Sequence, residues 1–205
     1  EATTALVAAL AAAKATAAVE DIKPVLQSPS VRARHAAHAA LTALGASPGP
    51  LPLRDPPFWP EEPGKLPGRA VIKTAYGDIT LRFYKDDAPL TVTSFVRLAR
   101  KGFFRNQTFH RVVGDFVIQG GDPRADGFGG PGYQIPCEYN ARPYERGVVG
   151  MALSGKDSGG SQFFITHSPQ PHLDGQYTAF AEVESGLEVV DASQPDDLIQ
   201  DILIP

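Results

Sequence analysis

The segment ASPGPLPLRDPPFWPEEPGKLPG contains eight prolines and constrains the fold more than any other feature of the sequence. Proline fixes its own φ angle and lacks a backbone N–H, so such a dense run excludes a helix or a central strand. We therefore predict an extended, semi-rigid linker over residues 47–68, which separates residues 1–46 from residues 69–205. Phe58 and Trp59 are too apolar for a free tether, and we expect both to hold the linker against a folded surface.

The composition is that of a globular protein and excludes several classes of function. With 42% hydrophobic and 20% charged residues, wholesale disorder is not expected. A net charge of −4 gives no reason to expect nucleic acid as a partner. No apolar run reaches the roughly 18 residues of a membrane span, so the sequence predicts a soluble chain without membrane insertion. The single cysteine, Cys137, excludes an intrachain disulfide and a cysteine-rich zinc site.

The start of the sequence leaves the compartment open. The first residue is Glu1 and the only methionine is Met151, which indicates a processed protein or a piece of a longer one. A targeting segment would then lie upstream of Glu1. Both a cytoplasmic and an exported protein fit this sequence.

Residues 1–46 are rich in alanine and predict an α-helical hairpin. The first helical pattern, TALVAALAAAKATAAVEDIKPVL, should bend or restart at Pro24. The second, VRARHAAHAALTALG, follows a turn at Ser28-Pro29-Ser30 and ends at Gly45, which is a suitable C-cap.

The stretch IKPVLQSPSVRARHAAHAALTALG resembles one HEAT-type helical repeat, in which a helix containing proline precedes a second, alanine-rich helix. A single repeat cannot bury its own apolar face. The resemblance therefore implies further repeats upstream, docking onto the neighbouring domain, or a protein partner that binds the repeat.

Residues 69–205 change to short strands separated by turn signals. In RAVIKTAYGDITLRFY, apolar residues alternate around a Tyr-Gly-Asp turn, which predicts a β-hairpin. TVTSFVRLARKG has helical periodicity, a second short helix is expected near 186–193, and LIQDILI reads as a last strand. Many short strands with two helices indicate a mainly β fold, a closed antiparallel barrel capped by helices.

Four segments of the C-terminal part together are similar to the signature segments of one family. They are FHRVVGDFVIQGGD (109–122), GVVGMAL (147–153), GSQFFIT (160–166) and HLDGQYTAFAEV (172–183). In this order and at these intervals they resemble the cyclophilins, which are peptidyl-prolyl cis/trans isomerases. The resemblance covers roughly residues 69–205. It implies an eight-stranded antiparallel barrel capped by two helices, with an active-site groove on its outer surface.

The resemblance also implies roles for eleven residues. Arg111 would be the catalytic guanidinium, and Gln119 would bind the substrate backbone and help to orient Arg111. The remaining nine would form the substrate groove: Phe116, Val117, Phe164 and Leu173 around the proline ring, Ala152 and Leu153 along the substrate backbone, Gln162 beside them, and His172 and Tyr177 at the two remaining positions. Phe163 should point the opposite way from Phe164, into the core. We derive no role for His110.

These residue types fit the chemistry of an X–Pro bond. Rotation about a peptide bond meets a barrier of ~18–20 kcal/mol, and X–Pro bonds interconvert in about tens to hundreds of seconds. In the twisted transition state the proline nitrogen regains its lone pair, and a fixed guanidinium can donate a hydrogen bond to it. This reaction requires no cofactor, metal, nucleophile or proton shuttle, so none is predicted.

Other motifs do not support a competing chemistry. GFGGPG at 127–132 fits a dinucleotide pattern, but no helix is predicted to follow it. His167 and His172 lie near each other without the carboxylate cluster that would favour a metal site.

Two alternatives to an isomerase acting on proline-containing peptides and partly folded proteins remain open from the sequence. One is a proline-recognition module with the same fold, whose helical repeat supplies the contact to a partner. The other is self-association, in which the proline-rich linker occupies the groove of a neighbouring molecule.

The departures from the family pattern predict weak binding of cyclosporin. His172 stands where many members have tryptophan, so an indole donor and a large apolar contact are lost. We expect a dissociation constant in the micromolar range or weaker in a calorimetric titration. A sub-micromolar value would contradict this prediction.

Overall fold

The computed structural model describes three stretches of the chain: residues 2–28, 31–49 and 58–205. The chain divides into two compact units, Glu1–Asp55 and Pro56–Pro205, and the division falls inside the proline-rich segment. The predicted turn residues Pro29 and Ser30 lie outside the described residues, as do linker residues 50–57.

The first unit is helical. Its α-helices are α1 (Ala2–Ala12), α2 (Val19–Ile22) and α3 (Val31–Ala43), with 3-10 turns at Thr16–Ala18 and Lys23–Gln27. Pro24 lies in the second 3-10 turn, where we expected the helix to bend. An earlier break, which we did not predict, occurs after α1, where Lys14 adopts a φ of 53°.

Helix α3 ends at the predicted glycine. The Gly45 N–H donates to the Thr42 carbonyl at 3.0 Å, and the Ala46 N–H donates to the Leu41 carbonyl at 2.9 Å. This bonding pattern requires a left-handed residue, and Gly45 has a φ of 81°. The small core of the unit consists of Val7, Ile22, Ala37, Ala40 and Leu41. The likeness to a HEAT repeat stays a prediction.

The second unit begins with the end of the proline-rich segment, part of which packs as expected. The Phe58 ring meets the Tyr133 ring edge-on at 5.3 Å between centroids, and the Arg97 guanidinium lies 4.8 Å from the Phe58 centroid. The expectation for Trp59 was wrong, because this side chain is 90% exposed. One aromatic residue therefore anchors this stretch.

The rest of the second unit is built on an antiparallel sheet of nine strands. They are β1 (Arg69–Thr74), β2 (Gly77–Phe83), β3 (Gln107–Thr108), β4 (Arg111–Val113), β5 (Val117–Gly120), β6 (Val148–Met151), β7 (Phe163–Thr166), β8 (Ala179–Ser185) and β9 (Leu198–Leu203). Their order in the sheet is β3-β9-β1-β2-β8-β6-β7-β5-β4. The mainly β architecture and the hairpin of β1 and β2 are confirmed.

The chain connection brings the two edges of this sheet together. The edge strands β3 and β4 are separated only by Phe109 and His110. Thr108 and Arg111 are three residues apart and therefore at most about 11 Å from each other, so the sheet must curl until its edges come close. The predicted eight strands become nine because residues 107–113 are divided between the two edges, as β3 and β4.

Two helices accompany the sheet, as predicted: α4 (Pro89–Arg100) and α5 (Leu187–Ala192). Phe95 of α4 is 1% exposed, and its ring lies within 5.0 to 5.8 Å of four other aromatic rings, those of Phe83, Phe104, Phe163 and Phe180. These rings fill the inside of the curled sheet, so functional side chains of β4, β5 and β7 that do not enter this core lie on its outer side. In the described part of the chain, no helix combines the length and apolar character needed to cross a membrane.

Candidate active site

The hairpin of β4 and β5 places the two polar residues of the candidate site opposite each other. Its turn contains Gly114 and Asp115, and Asp115 adopts a φ of 57°. The register pairs Arg111 with Gln119, so their side chains leave the same face of the sheet. Arg111 Nη1 lies 3.4 Å from Gln119 Oε1, to which it donates.

The side-chain amide of Gln162 extends the hydrogen bonding from Gln119 to a loop backbone. Gln119 Nε2 donates to Gln162 Oε1 at 3.0 Å, and Gln162 Nε2 donates to the Gly129 carbonyl at 3.0 Å. Gln162 immediately precedes β7, which pairs with β5, so the two glutamines come from neighbouring strands. Sequence reasoning did not identify Gly129, because it lies in a glycine-rich loop with several equivalent glycines.

The structure brings the predicted groove residues together on the outside of the sheet. A cavity of about 210 Å³ is lined by Arg111, Phe116, Val117, Gln119, Ala152, Leu153, Phe164, Leu173 and Tyr177. All nine were named from the sequence. The two other predicted residues lie beside the cavity: Gln162 contacts Gln119, and the His172 ring stacks on Phe116 at 5.7 Å with an interplanar angle of 22°.

Phe164 forms the floor of the cavity and is itself supported from below. It is 5% exposed, and the Tyr144 ring stacks on it at 5.5 Å, while the Tyr177 ring meets its edge at 5.7 Å. Burial raises the pKa of the Tyr144 hydroxyl, so this residue stays neutral. The prediction for Phe163 is confirmed, since that neighbouring ring is fully buried in the main core. Tyr144 was missed because it lies in the loop segment ARPYERG, which has no periodic pattern.

Arg111 keeps its charge available at the groove. Its side chain is exposed, and its guanidinium lies 5.4 Å from the centroid of the Phe116 ring. Among the described residues, no carboxylate forms an ion pair with it, whereas Arg105 and Arg142 pair with Asp201 and Asp87. A guanidinium that is held by an amide and an aromatic face retains a full capacity to donate to a ligand.

His110 precedes Arg111 and has a half-buried imidazole. Burial lowers the pKa of its imidazole, and the carboxylate of Asp122 opposes that effect. Within the described part of the chain, neither ring nitrogen has a hydrogen-bond partner. His110 remains a residue without an assigned role.

Comparison with known proteins identifies the family. The family model described as cyclophilin type peptidyl-prolyl cis-trans isomerase/CLD matches residues 69–200. A peptidyl-prolyl cis-trans isomerase of Synechococcus elongatus is 48% identical over 138 residues, which cover 66% of this chain and 95% of the relative. Peptidyl-prolyl cis-trans isomerase B of Bacillus subtilis is 48% identical over 141 residues, covering 65% of this chain and 99% of the relative.

Solved structures support the same family. The crystal structure of a cyclophilin type peptidyl-prolyl cis-trans isomerase from Cryptosporidium parvum has a TM-score of 0.63 at 31% identity, covering 67% of this chain and 97% of that one. The same protein was also crystallised in the presence of the dipeptide Ala-Pro. This chain therefore belongs to the cyclophilin-type peptidyl-prolyl cis-trans isomerases.

The packing at the floor of the groove requires a glycine at position 150. A Cβ atom on Gly150 of β6 would overlap Phe164 Cζ and the Tyr144 hydroxyl, so Gly150→Ala must displace the floor. Overpacking of this kind costs about 1–3 kcal/mol, and we expect the free energy of unfolding in urea to fall by that amount. Gly64→Ala is the matched control, since a Cβ there meets nothing within 4 Å. Equal stability of the two variants would refute the proposed contact.

Proposed function

We propose that this chain catalyses cis–trans isomerisation of X–Pro bonds in proline-containing peptides and partly folded proteins, and that Arg111 makes the main catalytic interaction. The observation that carries the proposal is an exposed guanidinium at the rim of an apolar cavity, held by an uncharged amide. The presence of Ala-Pro with the Cryptosporidium relative supports the same class of ligand.

The apolar residues suit a proline ring. Phe116, Val117, Phe164 and Leu173 offer a wall of aromatic and aliphatic carbon, with Phe164 at its base. Burying the ring there holds one side of the X–Pro bond while the other side turns. Transfer of the amide from water into this cavity also favours the twisted state, which is less polar than the planar amide.

The backbone after β6 suits the residue before proline. The Ala152 N–H donates to the Gln162 carbonyl at 3.0 Å, which fixes the end of the strand. Within the described part of the chain, no residue donates to the Ala152 carbonyl or accepts from the Leu153 N–H. Both groups therefore remain available to a peptide backbone that lies along the groove.

Arg111 would act on the nitrogen of the turning bond. The planar amide nitrogen accepts poorly because its lone pair is delocalised, whereas the twisted nitrogen is an acceptor. A guanidinium donor is thus bonded more strongly in the transition state than in the ground state, which is the condition for catalysis. Gln119 orients the guanidinium without neutralising it, as a carboxylate would.

Replacing Arg111 tests this assignment. A charge-assisted hydrogen bond contributes about 1.5–3 kcal/mol, so Arg111→Ala should lower kcat/KM by roughly 10- to 150-fold on an Ala-Pro-Phe peptide. NMR exchange spectroscopy measures this directly, and the same spectra give the peptide affinity, which should change little. Arg105→Ala is the matched control, because Arg105 is exposed and pairs with Asp201.

The outcomes separate an enzyme from a binding module. If Arg111→Ala turns over the peptide as fast as the wild type, the proposed mechanism is wrong. If the variant loses binding and turnover in equal proportion, Arg111 serves recognition, and the chain is a proline-recognition module.

For the first unit we propose a helical repeat that contacts a further protein segment. Leu6 of α1 is 60% exposed, although Val7 beside it is 3% exposed, so the large apolar side chain of Leu6 is uncovered. In the full chain, Leu6→Glu should abolish capture of a partner and leave kcat/KM unchanged, while Thr3→Glu on the same helix should affect neither. Identical capture by the wild type and both variants would count against the proposal.

A further inference from the structure

Two side-chain amides connect the guanidinium of Arg111 to the backbone of a loop. The hydrogen bonds run from Arg111 to Gln119 at 3.4 Å, from Gln119 to Gln162 at 3.0 Å, and from Gln162 to the Gly129 carbonyl at 3.0 Å. Each donor in this series is a nitrogen and each acceptor an oxygen. The series therefore has a direction.

The groups at its two ends fix that direction. A backbone carbonyl only accepts, so Gln162 must present its NH₂ group to Gly129 and its oxygen to Gln119. A guanidinium only donates, so Gln119 must present its oxygen to Arg111 and its NH₂ group to Gln162. Rotating either amide by half a turn would bring like groups together and break two hydrogen bonds. The assignment of amide atoms thus follows from the network itself.

The loop that carries the Gly129 carbonyl is held by a buried carboxylate. Asp122 is 1% exposed and accepts the backbone N–H groups of Arg124 at 2.8 Å, Asp126 at 3.2 Å and Gly127 at 2.6 Å. A Cβ atom on Gly129 would overlap Asp122 Oδ1, so the loop backbone packs directly on this carboxylate. The position of the Gly129 carbonyl is therefore set by the protein and not by a ligand.

The backbone of Gln162 is fixed as well. Its carbonyl accepts from the Ala152 N–H at 3.0 Å, and the neighbouring Ser161 hydroxyl donates to the Gly121 carbonyl at 2.6 Å. With both its backbone and its amide held, Gln162 has little freedom to follow a substrate. It also lies outside the set of side chains that line the cavity.

We propose that Gln162 is a positioning residue that transmits the orientation of the 122–129 loop through Gln119 to Arg111. The inference rests on the proposed catalytic function of Arg111. It departs from the expectation that Gln162 binds substrate directly. Loss of this positioning should lower kcat, the rate constant for isomerisation of the bound substrate. Substrate binding should change little, because the apolar cavity stays intact when the guanidinium is misdirected.

Gln162→Met removes both amide bonds at nearly constant side-chain length. Because a neutral hydrogen bond has a modest net strength, kcat should fall about 2- to 12-fold with KM unchanged in NMR exchange measurements on an Ala-Pro-Phe peptide. Gln200→Met, the same substitution at an exposed position of β9, is the matched control and should change neither constant. A rise in KM without loss of kcat would show a direct substrate contact and overturn the proposal.

Repeating the Gln162→Met substitution in an Arg111→Ala protein separates this proposal from the catalytic role of Arg111. In an Arg111→Ala protein, Gln162→Met should cause no further loss of kcat, because its effect passes through the guanidinium. An equal loss in both backgrounds would overturn the positioning role while leaving the proposed function intact. If Arg111→Ala alone has no effect, it is the proposed function that fails.

Gln162→Glu provides a test that does not depend on the methionine variant folding. When protonated, the glutamic acid can donate its O–H to the Gly129 carbonyl and accept from Gln119, which restores the network; when ionised, it cannot donate. The ratio of its kcat to that of the wild type should therefore rise as the pH falls from about 8 to about 4. Arg111, Asp122 and His110 also lie near this network, but they are present in both proteins and cancel in the ratio. A ratio independent of pH would contradict the proposal.

Discussion

The antiparallel pairing of β4 with β5 is the interaction on which the site depends. This short hairpin sets Arg111 directly opposite Gln119 and leaves both side chains on the outer face of the curled sheet. The pairing of β5 with β7 then brings Phe164 into register with Gln119, so the polar and apolar parts of the groove come from adjacent strands. A slip of one residue in either pairing would turn every one of these side chains to the opposite face.

The polar part of the groove is organised by neutral groups, and this has a chemical reason. A carboxylate beside Arg111 would hold the guanidinium more tightly, but it would also compete with the substrate nitrogen for its donors. A neutral amide orients the guanidinium and competes less strongly with the substrate nitrogen for its donors. The buried carboxylate of Asp122 fixes the loop backbone, and it is linked to the arginine only through that backbone, the Gly129 carbonyl and the two glutamines.

The apolar part is rigid for a different reason. Phe164 is supported by Tyr144 beneath it and by Tyr177 at its edge, and Gly150 leaves the space that the Phe164 and Tyr144 side chains need. The inner face of the same strand carries Phe163, which packs against Phe95 in the main core at 5.5 Å. One strand therefore joins the groove floor to the core that stabilises the whole unit.

Particular residues show how far sequence reasoning reached. The eleven site residues could be named because each lies in one of four short motifs, and strand alternation separates Phe163 from Phe164. Gly45 could be identified as a C-cap because capping chemistry is local. Trp59 could not be placed correctly, since its apolar character does not reveal whether a partner surface lies beside it. The break at Lys14 and the ninth strand likewise arise from packing and pairing that no local pattern encodes.

The sequence by itself determined the family, the division at the proline-rich segment, and the residue types available to the groove, because these depend on local covalent and motif chemistry. Only the tertiary structure decided that Gln162 lies between Gln119 and Gly129, that Asp122 holds the loop, and that Tyr144 supports Phe164. The contacts of Gln162 and Tyr144 join residues 20 to 43 positions apart, through strand pairings and loop approaches. Their geometry depends on how the sheet curls, which is a property of the folded chain as a whole.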